Sequence, residues 1–140
     1  MKILGIEHIA IAVSDIEKSS SFWRDIIGLT LKVREEVNSQ GVITDIYPAV
    51  NGKIELLMEK NPNSPISNFL KKRGPGLHHI CFEVDDINKA LEELNEKNIK
   101  VVGSDIFVGA EGYEILFIHP SATGGVLVEL AQKKIKFSFS

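Results

Sequence analysis

The sequence predicts an α+β fold: two tandem βαβββ modules forming a curved, partly open barrel of mixed sheet, with the helices outside. Three observations predict it. First, His8-Ile-Ala-Ile-Ala-Val-Ser-Asp-Ile16 aligns with His79-Ile-Cys-Phe-Glu-Val-Asp-Asp-Ile87. Second, Ile54-Glu55-Leu56 aligns with Val128-Glu129-Leu130, and the spacing repeats: 47 residues from His8 to Glu55, 50 from His79 to Glu129. The chain is therefore read as one unit written twice. Third, each unit reads as strand, helix and three strands by its hydrophobic period. At 140 residues and 44% hydrophobic, the chain makes one domain with a real core. Module one spans about 5–60, a linker 61–75 and module two 76–132.

The opening strands, Glu7–Val13 and His78–Val84, are rich in Ile, Val and Phe. A helix follows each. Ser14-Asp-Ile-Glu17 forms a capping-box pattern, and Asp85 opens the second helix. Ile16, Phe22, Trp23 and Ile26 make the first apolar stripe, stopped by Gly28. Ile87, Ala90, Leu91 and Leu94 make the second, stopped by Asn98. The remaining strands of module one are Thr30–Val37, Val42–Ala49 and Lys53–Met58. Asn51-Gly52 between the last two suits a type I′ hairpin turn. Those of module two are Lys100–Val108, Glu114–His119 and Gly125–Gln132, with turns at Gly109–Gly112 and Ser121–Gly125. The polar linker carries a short helix near Pro65–Arg73. The tail 133–140 has no assigned role.

The composition excludes several function classes. A net charge of −3 supplies no basic field for nucleic acid or an anionic membrane. No apolar run reaches the ~18–20 residues of a membrane span. Glu7 interrupts the N-terminal apolar run and no small-residue cleavage site follows, so no signal peptide is read. Cys81 is the only cysteine, which rules out an intrachain disulfide and suits a cytoplasmic setting.

Strand parity selects the candidate site. Side chains alternate, so His8, Ala10 and Ala12 share one face and Ile9, Ile11 and Val13 the other. In the second module His79, Cys81 and Glu83 oppose Ile80, Phe82 and Val84. The apolar faces pack on the helices, and the histidines point into the concave side. Glu55 and Glu129 alternate with apolar neighbours, where a carboxylate is costly unless paired or metal-bound. Each module thus offers one His and one Glu at equivalent positions. Packed about a pseudo-twofold axis, His8, Glu55, His79 and Glu129 meet as ligands for one divalent ion, Co, Mn, Ni, Zn or Fe. A lone His beside an apolar strand is ordinarily a satisfied core residue; the repeated pair is what argues otherwise. His78 falls on the wrong parity and is left out.

These residues carry a resemblance. His8-Ile-Ala-Ile-Ala-Val, Glu35-Glu-Val with Gln40-Gly41, Lys53-Ile-Glu-Leu-Leu57, Asn63-Ser-Pro-Ile66, Phe69-Leu-Lys-Lys-Arg73, Gly76-Leu-His-His-Ile80, Glu83-Val-Asp-Asp-Ile87 and Gly124-Gly-Val-Leu-Val-Glu-Leu130 resemble the vicinal oxygen chelate superfamily. Within it the nearest look is to the methylmalonyl-CoA epimerase branch, over about residues 5–132. The resemblance implies proton removal from C2 of a CoA thioester and its return to the opposite face, through an enolate stabilised by the metal. Glu129 and Glu55 are then catalytic candidates as well as ligands. Some epimerases carry a separate carboxylate base three residues after the Gln-Gly motif. Here that position is Thr44, assigned to substrate binding, and the adjacent Asp45 points to the other face unless a bulge re-aims it. The His-Pro-Lys of many epimerases is His119-Pro-Ser121 here, and His119 either lines the pocket or ends a strand.

The resemblance also implies a homodimer, with strands such as Lys53–Met58 as candidate contacts, and a small-molecule thioester substrate of CoA or glutathione type. The alternatives are a glyoxalase I-type isomerisation of a glutathione hemithioacetal, or a small-molecule binding or resistance protein of the same fold. The long linker and Ser64-Pro-Ile66 favour the epimerase. The four-ligand set disfavours sequestration, and a dioxygenase would not need Glu55.

Overall fold

The computed structural model of the protein describes residues 1–134. Eleven main elements follow in chain order, with a short extension of the first helix: β1 (Ile3–Ala12), α1 (Ile16–Ser21) continued by a π-helical turn (Phe22–Ile26), β2 (Val33–Val37), β3 (Val42–Pro48), β4 (Lys53–Glu59), α2 (Pro65–Arg73), β5 (Gly76–Val84), α3 (Ile87–Glu96), β6 (Val101–Val108), β7 (Glu114–Ile118) and β8 (Leu127–Gln132). The eight strands form one sheet in the order β2-β3-β4-β1-β5-β8-β7-β6. Each module contributes four adjacent strands, so the predicted βαβββ repeat and mixed sheet are present. The tail residues 135–140 lie outside the described residues.

The seam between the modules is the antiparallel pair β1–β5, in which His8 faces Cys81 and Ala10 faces His79. The reciprocal offset puts a pseudo-twofold axis between these two strands. On either side a parallel partner follows: β4 beside β1, with Ala10 opposite Glu55, and β8 beside β5, with Cys81 opposite Glu129. One His and one Glu per module therefore lie one strand apart on the same face.

Parity sorts the core as expected. Val13, Ile16, Tyr47 and Leu56 pack with Ile11 and Trp23 beneath α1. Val84, Ile87, Ala90, Leu94, Leu116 and Leu130 pack beneath α3. The opposite faces form two further clusters: Ala10, Ala12, Val37, Val42 and Leu57 against Ile66 of α2, and Cys81, Ile115 and Ala131 with Phe107 and Phe117. One pocket is lined by residues of β2, β3, β4, β1, β5, β8 and β7 together, so the sheet curls round it. The two sheet edges are tied across the mouth. Ser39 Oγ donates to the Val108 carbonyl at 2.7 Å, and the Glu35 carboxylate accepts the Glu111 N–H at 3.1 and 3.2 Å. Gly109 permits this approach, since a Cβ there would press on Gln40 Nε2 of the opposite edge at 3.2 Å and on Ile115 Cδ1 at 2.5 Å.

Several local expectations change. Both helices start one residue late. Asp15 and Asp86 are the caps, each accepting the backbone N–H three residues on, Lys18 and Lys89, at 3.1 Å. A carboxylate is a stronger acceptor than a hydroxyl and complements the helix dipole, so it displaces Ser14 from the capping role. The stripe on the first helix also breaks. The wider π turn rotates Phe22 and Ile26 outward, to 47% and 73% exposure, while Ile16 stays buried. The β3–β4 hairpin forms, but not as a type I′ turn. Gly52 has φ 88° and Asn51 is not in the left-handed region, because a loop of residues 49–52 closes with one positive φ. Asn98 does end α3 as expected, at φ 56°. Finally, β4 is hydrogen-bonded on both sides, to β3 and β1, and offers no free edge for a dimer contact.

Candidate active site

The pocket floor is built from β1, β5 and β8. His8, His79 and Glu129 are each buried, at 6%, 4% and 4% exposure. His8 Nε2 lies 3.1 Å from His79 Nε2. Glu129 Oε1 lies 3.0 Å from the first and 2.9 Å from the second. Glu55, also buried, sits on the far side of the His8 ring, with Oε2 2.8 Å from Nδ1. Of the four residues that the sequence singles out, three meet at a point, and the fourth stands one imidazole width away.

This donor set fits a divalent cation. Two ring nitrogens and a carboxylate oxygen within about 3 Å repel one another unless a proton or cation lies among them. Among the described residues, two groupings have their ligand atoms close enough to share an ion: His8, His79 and Glu129, and Glu7, His8 and Glu55. His8 Nδ1 is buried and makes no directed hydrogen bond, although Glu55 Oε2 is near. The electrostatics carry the same demand for positive charge. Burial opposes ionisation of Glu129, but hydrogen bonds with His79 and His8 outweigh it and hold its pKa near about 2. Burial likewise disfavours a charged His8, but contacts with Cys81, Glu129, Glu55 and Glu7 reverse the direction and push it well above the usual histidine range.

Thr44 is fully buried and lines the pocket with Gln40, Val37 and Leu57. Asp45 points the other way, as parity requires. Both its oxygens pair with Arg34, at 2.6 and 2.9 Å, and it accepts from Ser20 Oγ at 3.0 Å, beneath α1. It is a structural anion and not a base for this pocket. His119 does not line the pocket; its Nδ1 accepts from the Ser121 N–H at 3.1 Å and caps a short turn.

Two residues escaped the parity argument. Glu7, 4% exposed, points inward beside His8, with its Oε1 3.7 Å from Nδ1, and pairs with Lys53 and Lys133 at 2.8 Å each. His78 Nδ1 lies 2.8 Å from His79 Nδ1, and its ring meets Phe69 edge-on at 4.9 Å. Both sit where the β1–β5 register slips. A sequence signal exists: Gly5-Ile-Glu-His8 matches Gly76-Leu-His-His79 in the repeat, and a glycine inside a strand marks a bulge.

A groove opens beside the floor. Its lining combines Phe69, Leu77, Val126 and Leu127 with His78 and His79 and with Lys72 and Arg73 of α2. None of Lys71, Lys72 and Arg73 makes an ion pair among the described residues. No helix of the described residues is long and apolar enough to cross a membrane.

The fold is shared with known proteins. The profile of the glyoxalase/bleomycin resistance/dioxygenase superfamily matches residues 7–117. The mitochondrial methylmalonyl-CoA epimerase of Bos taurus is 41% identical over 128 residues, covering 91% of this chain and 73% of that protein. The crystal structure of methylmalonyl-CoA epimerase from Mycobacterium tuberculosis superposes with a TM-score of 0.90 at 30% identity, covering 95% of this chain and 90% of that one. A variant of the Streptomyces coelicolor epimerase in complex with 2-nitronate-propionyl-CoA superposes with a TM-score of 0.89 at 28% identity, covering 94% and 96%. The chain belongs to the glyoxalase/bleomycin resistance/dioxygenase superfamily and, within it, to the methylmalonyl-CoA epimerases, a family of isomerases.

Proposed function

We propose that this protein is a metal-dependent epimerase of 2-methylmalonyl-CoA. The observation that carries the reading is the buried meeting of His8 Nε2, His79 Nε2 and Glu129 Oε1 on the floor of the pocket. His8, His79 and Glu129, with Glu55 turned from the far side of the His8 ring, would hold the ion. A divalent cation so held would supply Lewis-acid stabilisation of the negative charge that develops on the thioester oxygen. The chain's own residues do the rest. Glu55 and Glu129 come from opposite sides of the seam, so they are the candidates to remove the C2 proton from one face and return it to the other. Thr44 closes the substrate side where a carboxylate is absent. Val37, Leu57 and Ile115 keep water from the carbanion.

The groove supports a CoA ester over a glutathione adduct, because its lining joins apolar side chains with His79 and with the two cations Lys72 and Arg73. A homodimer in the cytosol completes the proposal. The exposed Phe22, Ile26 and Ile27 supply an apolar face for the dimer, and sedimentation of the purified chain tests it. The function is tested by incubating cobalt-loaded protein with (2R)-methylmalonyl-CoA in D₂O and following C2. Deuterium incorporation with appearance of the other epimer is expected. Absence of exchange, with turnover of the methylglyoxal–glutathione hemithioacetal, would replace the reading by a glyoxalase I-type activity.

A further inference from the structure

The seam strands carry a duplicated irregularity. Going along β1, Ile6 pairs with Phe82 but the next pair is His8 with Cys81, leaving Glu7 as an extra residue. Going along β5, Leu77 pairs with Ile11 but the next pair is His79 with Ala10, leaving His78 extra. The two bulges are equivalent in the repeat. A bulge lets two consecutive side chains turn to one side of a strand. Glu7 and His8, although consecutive, accordingly both line the pocket, with Glu7 Oε1 3.7 Å from His8 Nδ1.

The bulged residues stand behind the two histidines. Both Nε2 atoms face Glu129, and both Nδ1 atoms face away from it. An imidazole that presents Nε2 to a cation keeps its proton on Nδ1, and that proton needs an acceptor to fix the ring. His79 has one, the Nδ1 of His78 at 2.8 Å. His8 Nδ1 has no directed hydrogen bond. Glu55 Oε2 is nearer, at 2.8 Å, but the metal-dependent reading turns that carboxylate to the ion and the substrate. The other carboxylate at hand is Glu7, 3.7 Å away and tethered from behind by Lys53 and Lys133.

We propose that the paired bulges make Glu7 and His78 the positioning residues of the metal centre, Glu7 accepting His8 Nδ1–H and His78 accepting His79 Nδ1–H. This rests on the metal-dependent reading above. The two histidines are thereby made unequal: an anion stands behind one and a neutral ring behind the other. His8 becomes the more electron-rich donor, a difference that the matched ligand positions do not reveal.

The test is cobalt affinity, measured by competition against a chelator, together with the visible spectrum of the cobalt-loaded protein and the melting temperature of the metal-free one. Glu7→Gln keeps the shape and removes the charge, and should weaken cobalt binding about ten- to a hundred-fold with a shifted spectrum. His78→Phe keeps the ring against Phe69 and removes the acceptor, and should weaken binding about tenfold. Lys53→Met leaves the Glu7 carboxylate in place and should weaken it less than Glu7→Gln does. If Glu7→Gln does not fold, because Lys53 and Lys133 have lost the carboxylate between them, Glu7→Gln/Lys53→Met is compared with Lys53→Met. Wild-type affinity in both the Glu7 and His78 variants overturns the inference. So does equal weakening by Lys53→Met, since packing of the ion cluster would then be the cause. A wild-type protein that binds no cobalt would instead overturn the metal-dependent function itself.

Discussion

The histidine of module one stands among charges: Glu7, Glu55 and Lys53 of its own module, with Lys133 reaching Glu7 from beyond module two, gather around His8. Module two surrounds its histidine with rings, His78 at 5.1 Å and Phe117 at 5.3 Å, both edge-on to His79. The helix layers differ in the same sense. Beneath α1 lies a buried polar knot of Asp45, Ser20 and Tyr47 held by Arg34. Beneath α3 the cluster is wholly apolar. Duplication has thus kept the donor atoms on the site face and let their supports diverge. A ligand's position follows from strand register, which admits few solutions, whereas the group behind it has only to be complementary.

The sharpest way to break this comparison is to remove one glutamate at a time. If Glu55 and Glu129 serve opposite faces of C2, Glu55→Gln and Glu129→Gln should each lower epimerisation by about a thousand-fold. Each should still exchange the C2 proton of one epimer with D₂O, and the retained epimer should differ between them. A variant that loses exchange with both epimers while the other keeps both would show one carboxylate working alone.

The helix layers come next. Arg34→Met strands the Asp45 carboxylate in a fully buried site and should cost about 3–5 kcal/mol in urea unfolding, with recovery in Arg34→Met/Asp45→Asn. Leu116→Ala in module two should cost a similar amount, about 3 kcal/mol, by leaving a cavity, with no polar second change able to restore it. Smaller effects come from the caps: Asp15→Ala and Asp86→Ala should each cost about 1 kcal/mol.

The smallest effect is on the pH profile of the metal-free protein, and it separates the modules by window. His78 is held down to about 4, first by burial and then by charge on His79, against an ordinary 6.5. Between those values the unfolded chain binds the extra proton, so the stability His78 contributes is lost as pH falls from 6.5 through 4. For Glu7 burial opposes the charge, but His8, Lys133 and Lys53 outweigh it and hold the carboxyl far below its ordinary 4.5. Its contribution is present above 4.5 and is lost only at lower pH. Acid titration of the melting temperature should show the upper step vanish in His78→Phe and the lower step vanish in Glu7→Gln.

Much of this was legible in the residues. Period-two alternation placed His8, His79, Glu55, Glu129 and Thr44 on the inner face and sent Asp45 outward, because a regular strand leaves no other choice. The linker helix Pro65–Arg73 was legible from Pro at its start. What was hidden shares one cause. Glu7 and His78 sit on bulges and Phe22 and Ile26 lie in a π turn; each inserts a residue into the regular period. The bulges left a trace in the matched glycines at 5 and 76, whereas the π turn left none, since Phe22 and Ile26 keep an ordinary helical spacing in the sequence.

The tie across the mouth has a consequence for how the molecule survives in a crowded solution. An open eight-stranded sheet ends in two rows of unpaired backbone groups, which invite strands from other chains. Here the connections beside those ends grip each other through Ser39, Val108, Glu35 and Glu111. Each termination thus shields its opposite. The grip joins residues 69 and 76 positions apart, so it must close late in folding, after the seam has formed. Until then the nascent chain is a sheet with both ends bare, and a substitution at Gly109 that wedges the grip open should show itself first as aggregation during refolding.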